Sequence, residues 1–228
     1  MRVRHILVLL SVALVCVFAS APLLAAAAIS VPPLVDAPPR LGQGLKLTFE
    51  GTPATEGAPA KDCRTTRLIA LYVPAGTPPT PFLAPGAFKA TFEGTISVAL
   101  RDEYIFTADG NGSLVLEING GIVLEASGDD LAKLKGKIVK LNKGKNQIVA
   151  HYSSPAKGDA VMRAFWESAS GEFAREPLPI VQLSHDADQK DLRESRRLRE
   201  GRELFATLRC TRCHDAAGFV SLPKGGDD

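Results

Sequence analysis

The run Cys210-Thr211-Arg212-Cys213-His214 carries the most legible chemistry in this 228-residue chain. Two thiols three positions apart can each add to one vinyl group of a haem, and a histidine directly after the second can meet the iron. Cys210 and Cys213 are therefore the candidate thioether anchors of a covalent haem c, and His214 is the candidate axial and only metal ligand. Other uses of the thiols fit less well. Zinc needs two further ligands at its own spacing, and the remaining cysteines, Cys16 and Cys63, form no second Cys-x-x-Cys. A redox dithiol sits at a helix N-terminus, where the dipole stabilises thiolate, whereas here a helical pattern runs into the motif from upstream. Plain structural thiols in an exported chain would oxidise.

The element that must position the motif is a helix expected over Asp191 to Leu208. Leu198, Gly201, Phe205 and Leu208 fall on one face of it, while Arg196/Glu200 and Arg199/Glu203 stand four apart on the solvated side. A helix that ends in such a motif, with Gly201-x-x-Leu204-Phe205 inside it, resembles the start of a class I cytochrome c domain. That resemblance implies that Gly201 and Phe205 pack against a C-terminal helix, that His214 is the proximal ligand, and that a redox protein is the partner. The family also has further helices and a distal methionine. The methionines here are Met1 and Met162, and the chain ends at Asp228, so residues 188–228 are expected to be only the first part of such a domain.

At the other end, Arg2 and Arg4 precede an apolar run from Ile6 to Leu24 and the small residues Ala25 to Ala28. This reads as a signal peptide over residues 1–28, cleaved rather than retained as an anchor, and places the protein in the periplasm or at the cell surface. Charge agrees with an exported soluble protein. Lys and Arg number 27 against 25 Asp and Glu, and removing Arg2 and Arg4 with the leader leaves the rest balanced. Such a balance argues against nucleic acid and against strong binding to an anionic membrane surface. The lysines from Lys133 to Lys145 form the one basic cluster, expected as the solvated face of strands and turns.

Residues 29–44 are a proline-rich lead-in, 45–170 have the texture of a β domain, and 171–187 read as a linker. Strands are expected at Lys46–Glu50, Arg67–Val73, Phe88–Leu100 (with Gly94 as a bulge or bend), Tyr104–Thr107, Ser113–Ile118, Ile122–Ala126, Ile138–Leu141, Gln147–Tyr152 and Val161–Glu167. Asp109-Gly-Asn-Gly112 and Asn119-Gly-Gly121 are turn signals. Many short strands without βαβ alternation give a mainly β fold, an antiparallel β-sandwich followed by an α-helix. Tyr104-Ile-Phe106, the two glycine turns flanking Leu114-Val-Leu116-Glu-Ile118, Ile148-Val-Ala-His-Tyr152 and Ala164-Phe165-Trp166 resemble the protective-antigen-type β-sandwich of anthrax toxin and carbohydrate-binding modules. The resemblance implies a glycan or protein ligand for the β domain. It also raises calcium, but the turn holds Asp109 alone, and Asp129-Asp130 reads as a cap before a ligand pair. Tyr72, Tyr104 and Trp166 are the first aromatics to test as a sugar platform, although Phe165 and Trp166 are expected in the core. His151 and His185 are expected to be structural. The leading expectation is an exported haem c electron carrier whose β domain docks a partner or glycan. The alternatives are a binding module with an inert haem segment and the electron-relay part of an exported oxidoreductase, though no catalytic constellation appears.

Overall fold

The computed structural model describes residues 40–209. Strands β1 (Leu41–Gln43), β2 (Leu45–Pro53), β3 (Lys61–Thr66), β4 (Ala70–Val73), β5 (Leu83–Val98), β6 (Asp102–Gly110) and β7 (Gly112–Ile118) come first. They are followed by β8 (Gly121–Gly128), β9 (Lys135–Leu141), β10 (Gly144–Ser153), β11 (Ala160–Ser168), β12 (Glu176–Pro177), β13 (Leu183–Asp186) and the helix α1 (Lys190–Thr207). One sheet runs β1-β13-β5-β10-β7-β8, with β2 joined to β5 and β3 joined to β2; the other runs β12-β11-β6-β9, with β4 on β11. The pairings are antiparallel, and the two sheets share one core. The fold is the expected mainly β, antiparallel sandwich followed by a helix.

Period-two alternation sets the inner faces. In β5, Phe88, Ala90 and Phe92 are buried while Lys89 is exposed; in β11, Met162, Ala164 and Trp166 are buried while Val161 and Arg163 are exposed. Tyr104 stacks on Trp166 with ring centroids 5.0 Å apart, inside this core. Every strand expected from sequence is present. Asn119 (φ 51°) and Gly120 (φ 79°) make the primed turn between β7 and β8 that their residue types allow. Gly94 is neither bulge nor bend, since β5 runs past it in unbroken register opposite Ile148. Its role is close approach, because a Cβ there would overlap the Ser184 carbonyl of β13.

Residues 171–187, expected as a linker, contribute β12 and β13. Strand β13 pairs with β5 and β1, and its buried His185 meets the Gly44 carbonyl at 3.0 Å through Nδ1, a structural role.

Helix α1 spans nearly the expected residues but docks by a different face. Strand β3 ends the β2 branch, and an edge strand leaves N–H and C=O groups facing outward. Ser195 Oγ accepts from the Cys63 N–H at 2.9 Å, and Arg199 donates to the Cys63 carbonyl at 2.8 Å while pairing with Asp62. Asp191 meets Lys46 at 3.1 Å one helical turn earlier. The helix residues buried here are Leu192 and Ser195, whereas Leu198, Gly201 and Leu208 of the expected stripe are exposed. Arg199 reaches Asp62 instead of Glu203; the i,i+4 pair on this helix is Lys190–Glu194 at 3.6 Å.

Candidate functional site

On the outer face of the second sheet, β11 carries Val161, Arg163 and Phe165 outward by the same alternation that sends Met162, Ala164 and Trp166 inward. Tyr72 of β4 stands opposite Val161, and Asp109 of β6 stands opposite Arg163. These residues line a concavity of about 500 Å³. Tyr72 is 62% exposed, yet it is held: its hydroxyl donates to Asp159 Oδ2 at 2.9 Å. The other oxygen of Asp159 accepts from the Ala75 N–H at 2.9 Å, and the Asp159 carbonyl accepts from Asn111 Nδ2 at 2.9 Å. Asn111 in turn accepts from the Val161 N–H at 3.1 Å, so the glycine turn between β6 and β7 fixes the loop that fixes the tyrosine. The Ala75 N–H, then the Tyr72 hydroxyl, hold the Asp159 carboxyl below its ordinary range against slight burial. The same bond raises the Tyr72 phenol.

The far wall is also fixed. Arg175 lies over the Phe165 ring at 3.7 Å, donates to Thr107 Oγ1 at 2.8 Å and pairs with Asp109. An exposed ring held by its hydroxyl, with planar charged groups beside it, can stack on the C–H face of a sugar and hydrogen-bond its hydroxyls.

Of the expected aromatics, the structure exposes Tyr72 and buries Tyr104 and Trp166. Asp109 is engaged by Arg175, and Asp130 caps a short 3-10 turn by accepting from the Ala132 N–H at 3.0 Å. His151 is exposed and meets Thr91 Oγ1 at 3.3 Å. Among the described residues, no three His, Cys, Asp or Glu side chains converge as a group that could hold a metal ion. Asp159, Arg163 and Arg175 were missed by sequence reasoning. The outward positions of Arg163 and Phe165 were available from the alternation of Val161–Glu167, and the Gly158-Asp159 pair is a turn signal. The reach of Asp159 to Tyr72 was not available. A second groove, about 410 Å³, lies between α1 and the first sheet. Its charges satisfy one another: Lys46 meets Glu93 at 2.8 Å and Asp191 at 3.1 Å, and Lys61 pairs with Glu50.

No protein-family model matches the chain, and no curated protein matches it. Solved structures match its fold. An anti-sigma factor domain-containing protein from Clostridium clariflavum superposes with a TM-score of 0.53 at 18% identity, over 65% of this chain and 49% of that one. The PA14 domain of the MpAFP antifreeze protein gives 0.50 at 12% identity, over 65% of this chain and 94% of that one. A PA14 sugar-binding domain from an RTX adhesin gives 0.51 at 18%, over 63% and 98%. This chain thus spans about half the length of the first match. At these identities the likeness establishes the fold, a β-sandwich like that of the PA14 domains.

The same matches correct the expectation of a cytochrome. They are β-rich and include no cytochrome c. Helix α1 packs on β3 through Ser195 and Arg199 and on Lys46 of β2 through Asp191, and a Cβ on Gly201 would meet nothing within 4 Å among the described residues. The assignments of haem c and of electron transfer to a redox partner are therefore withdrawn. Cys210, Cys213 and His214 lie outside the described residues, as does the expected signal peptide.

Proposed function

We propose that this chain is a carbohydrate-binding β-module of an exported or surface protein, taking a sugar on the Tyr72 face. The observation that carries the reading is Tyr72 itself: an exposed ring braced by Asp159 over a concavity with Asp109, Arg163 and Phe165. Two further facts support it. One of the matched folds is a sugar-binding domain of an adhesin, and the N-terminal pattern Arg2, Arg4 and Ile6 to Leu24 has the order of an export leader. Glycan-array screening of the purified chain, followed by titration calorimetry on the hits, tests the reading. Tyr72→Ala should weaken binding about tenfold or more, since one stacked ring is worth roughly 1–2 kcal/mol. Tyr72→Phe keeps the ring and should lose much less. Binding unaffected by Tyr72→Ala, or no glycan bound at all, would overturn the proposal.

A further inference from the structure

Tyr72 is a ridge between two concavities, since Ala70, Leu71 and Tyr72 line both. The second, about 420 Å³, takes its other walls from Phe49, Arg64, Arg67 and Pro78, and no Asp or Glu is among the described residues that line it. Arg64 lies over the Phe49 ring at 4.7 Å, which fixes its guanidinium at the wall. The carboxylate whose charge acts on it, Asp62, is buried and already paired with Arg199. Burial lowers the Arg64 pKa, Asp62 offsets this, and the Arg199 charge lowers it further. The guanidinium nonetheless stays protonated at any working pH. Among the described residues neither Arg64 nor Arg67 has an ion pair within 4.0 Å. Two arginines whose side chains reach the surface, the Arg64 guanidinium itself partly buried, thus sit beside the braced tyrosine with no ion pair among the described residues, in a chain of nearly balanced charge.

We infer that the ligand is an acidic glycan. Its carboxylate or sulfate enters the Arg64/Arg67 concavity while a sugar ring rests on Tyr72, an inference that rests on the reading of the Tyr72 face. A guanidinium presents two parallel N–H donors to two oxygens of one anion, so it selects carboxylate and sulfate over neutral hydroxyls. The other basic surface, Lys135, Lys137 and Lys140 on β9, lies at the end of its sheet. Charges there discourage further strands from adding.

The test uses the purified chain with oligogalacturonate, a dextran sulfate oligosaccharide and neutral oligosaccharides of equal length. The acidic ligands should bind at least about tenfold tighter at low salt, with the preference shrinking as salt rises. Comparison of the carboxylated with the sulfated arm identifies the preferred anion. Arg64→Gln with Arg67→Gln should abolish the preference, so that acidic ligands bind no tighter than neutral ones. Arg67→Gln alone should reduce it without altering the melting temperature. Lys135→Gln with Lys137→Gln and Lys140→Gln should leave it intact. Equal affinity for acidic and neutral ligands, with neutral binding still dependent on Tyr72, overturns this inference alone, as does a preference abolished by the lysine variant. Acidic binding that needs the arginines but ignores Tyr72→Ala overturns the Tyr72 reading, and the joint pose with it. Absence of all binding overturns both.

Discussion

At the scale of single residues, Tyr152 shows what a sandwich core does to a polar group it cannot satisfy. Its ring packs against Phe88 with centroids 6.2 Å apart, and its buried hydroxyl has no hydrogen-bond partner among the described residues. Burial pushes its phenol pKa up to about 12. The fold therefore favours the neutral phenol, and this contribution is fully present below pH ~10 and lost as pH climbs towards 12. Tyr152→Phe removes the unsatisfied hydroxyl and keeps the ring. It should leave stability at pH 7 unchanged or raise it by up to about 1 kcal/mol. Its advantage over the wild type should widen between pH 10 and 12, as read from urea midpoints. A loss above about 1 kcal/mol would mean that the hydroxyl is bonded after all. The same scale explains what residue type left open: Trp166 was expected in the core and lies there, whereas Tyr72 and Tyr104 were not separable. Only the register of β4 and β6 on β11 sends the first tyrosine to solvent and stacks the second on Trp166 in the core.

At the scale of elements, sequence periodicity located α1 almost to the residue but chose the wrong face, and it missed β3 altogether. The two failures share a cause. Periodicity ranks apolar residues, whereas Lys61-Asp-Cys-Arg-Thr-Thr66 is polar and is gripped by a polar helix face, Asp191, Ser195 and Arg199. Burial alone would lower the Lys46 pKa, but its bonds to Glu93 and Asp191 hold it above the ordinary lysine value. The Cys63 thiol reports on this grip, because it is buried and burial raises its pKa. Ser195→Ala deprives the Cys63 N–H of its acceptor, and Arg199→Ala strands the Asp62 carboxylate. Each should cost about 1–3 kcal/mol and speed alkylation of Cys63 about tenfold or more. Peptide-resolved mass spectrometry separates Cys63 from the other thiols. Burial already raises the Asp62 pKa against the pull of Arg199 and Arg64. Its charge therefore costs more stability as pH rises through that pKa, so the deficit of Arg199→Ala should be larger at pH 7 than at pH 4. Unchanged labelling in both variants would mean that α1 does not guard the β3 edge.

At the scale of the whole molecule, the strands after residue 170 and the helix decide whether the sandwich can stand without them. The expected β domain of residues 45–170 contains most of the core, yet β13 covers the close approach at Gly94, and Trp166 Nε1 donates to Glu176 of β12 at 3.3 Å. Leu178, Leu183 and Leu192 are buried beyond that boundary as well. The whole chain should therefore unfold in one transition, with the β and helical circular dichroism signals coinciding. A chain of residues 45–170 should lose that cooperativity or self-associate, because the outer edges of β3 and β5 are left bare. Set against a chain of residues 40–209, a chain of residues 40–187 keeps β13 and removes α1 with the residues flanking it, so the pair isolates the helix. The shorter chain should still fold, but with the melting temperature reduced by about 6–12 °C if the three polar anchors together are worth about 3 kcal/mol, at roughly 2–4 °C per kcal/mol for a domain of this size. Residues 45–170 melting like the whole chain would show instead that β12, β13 and α1 are attachments to an independent sandwich.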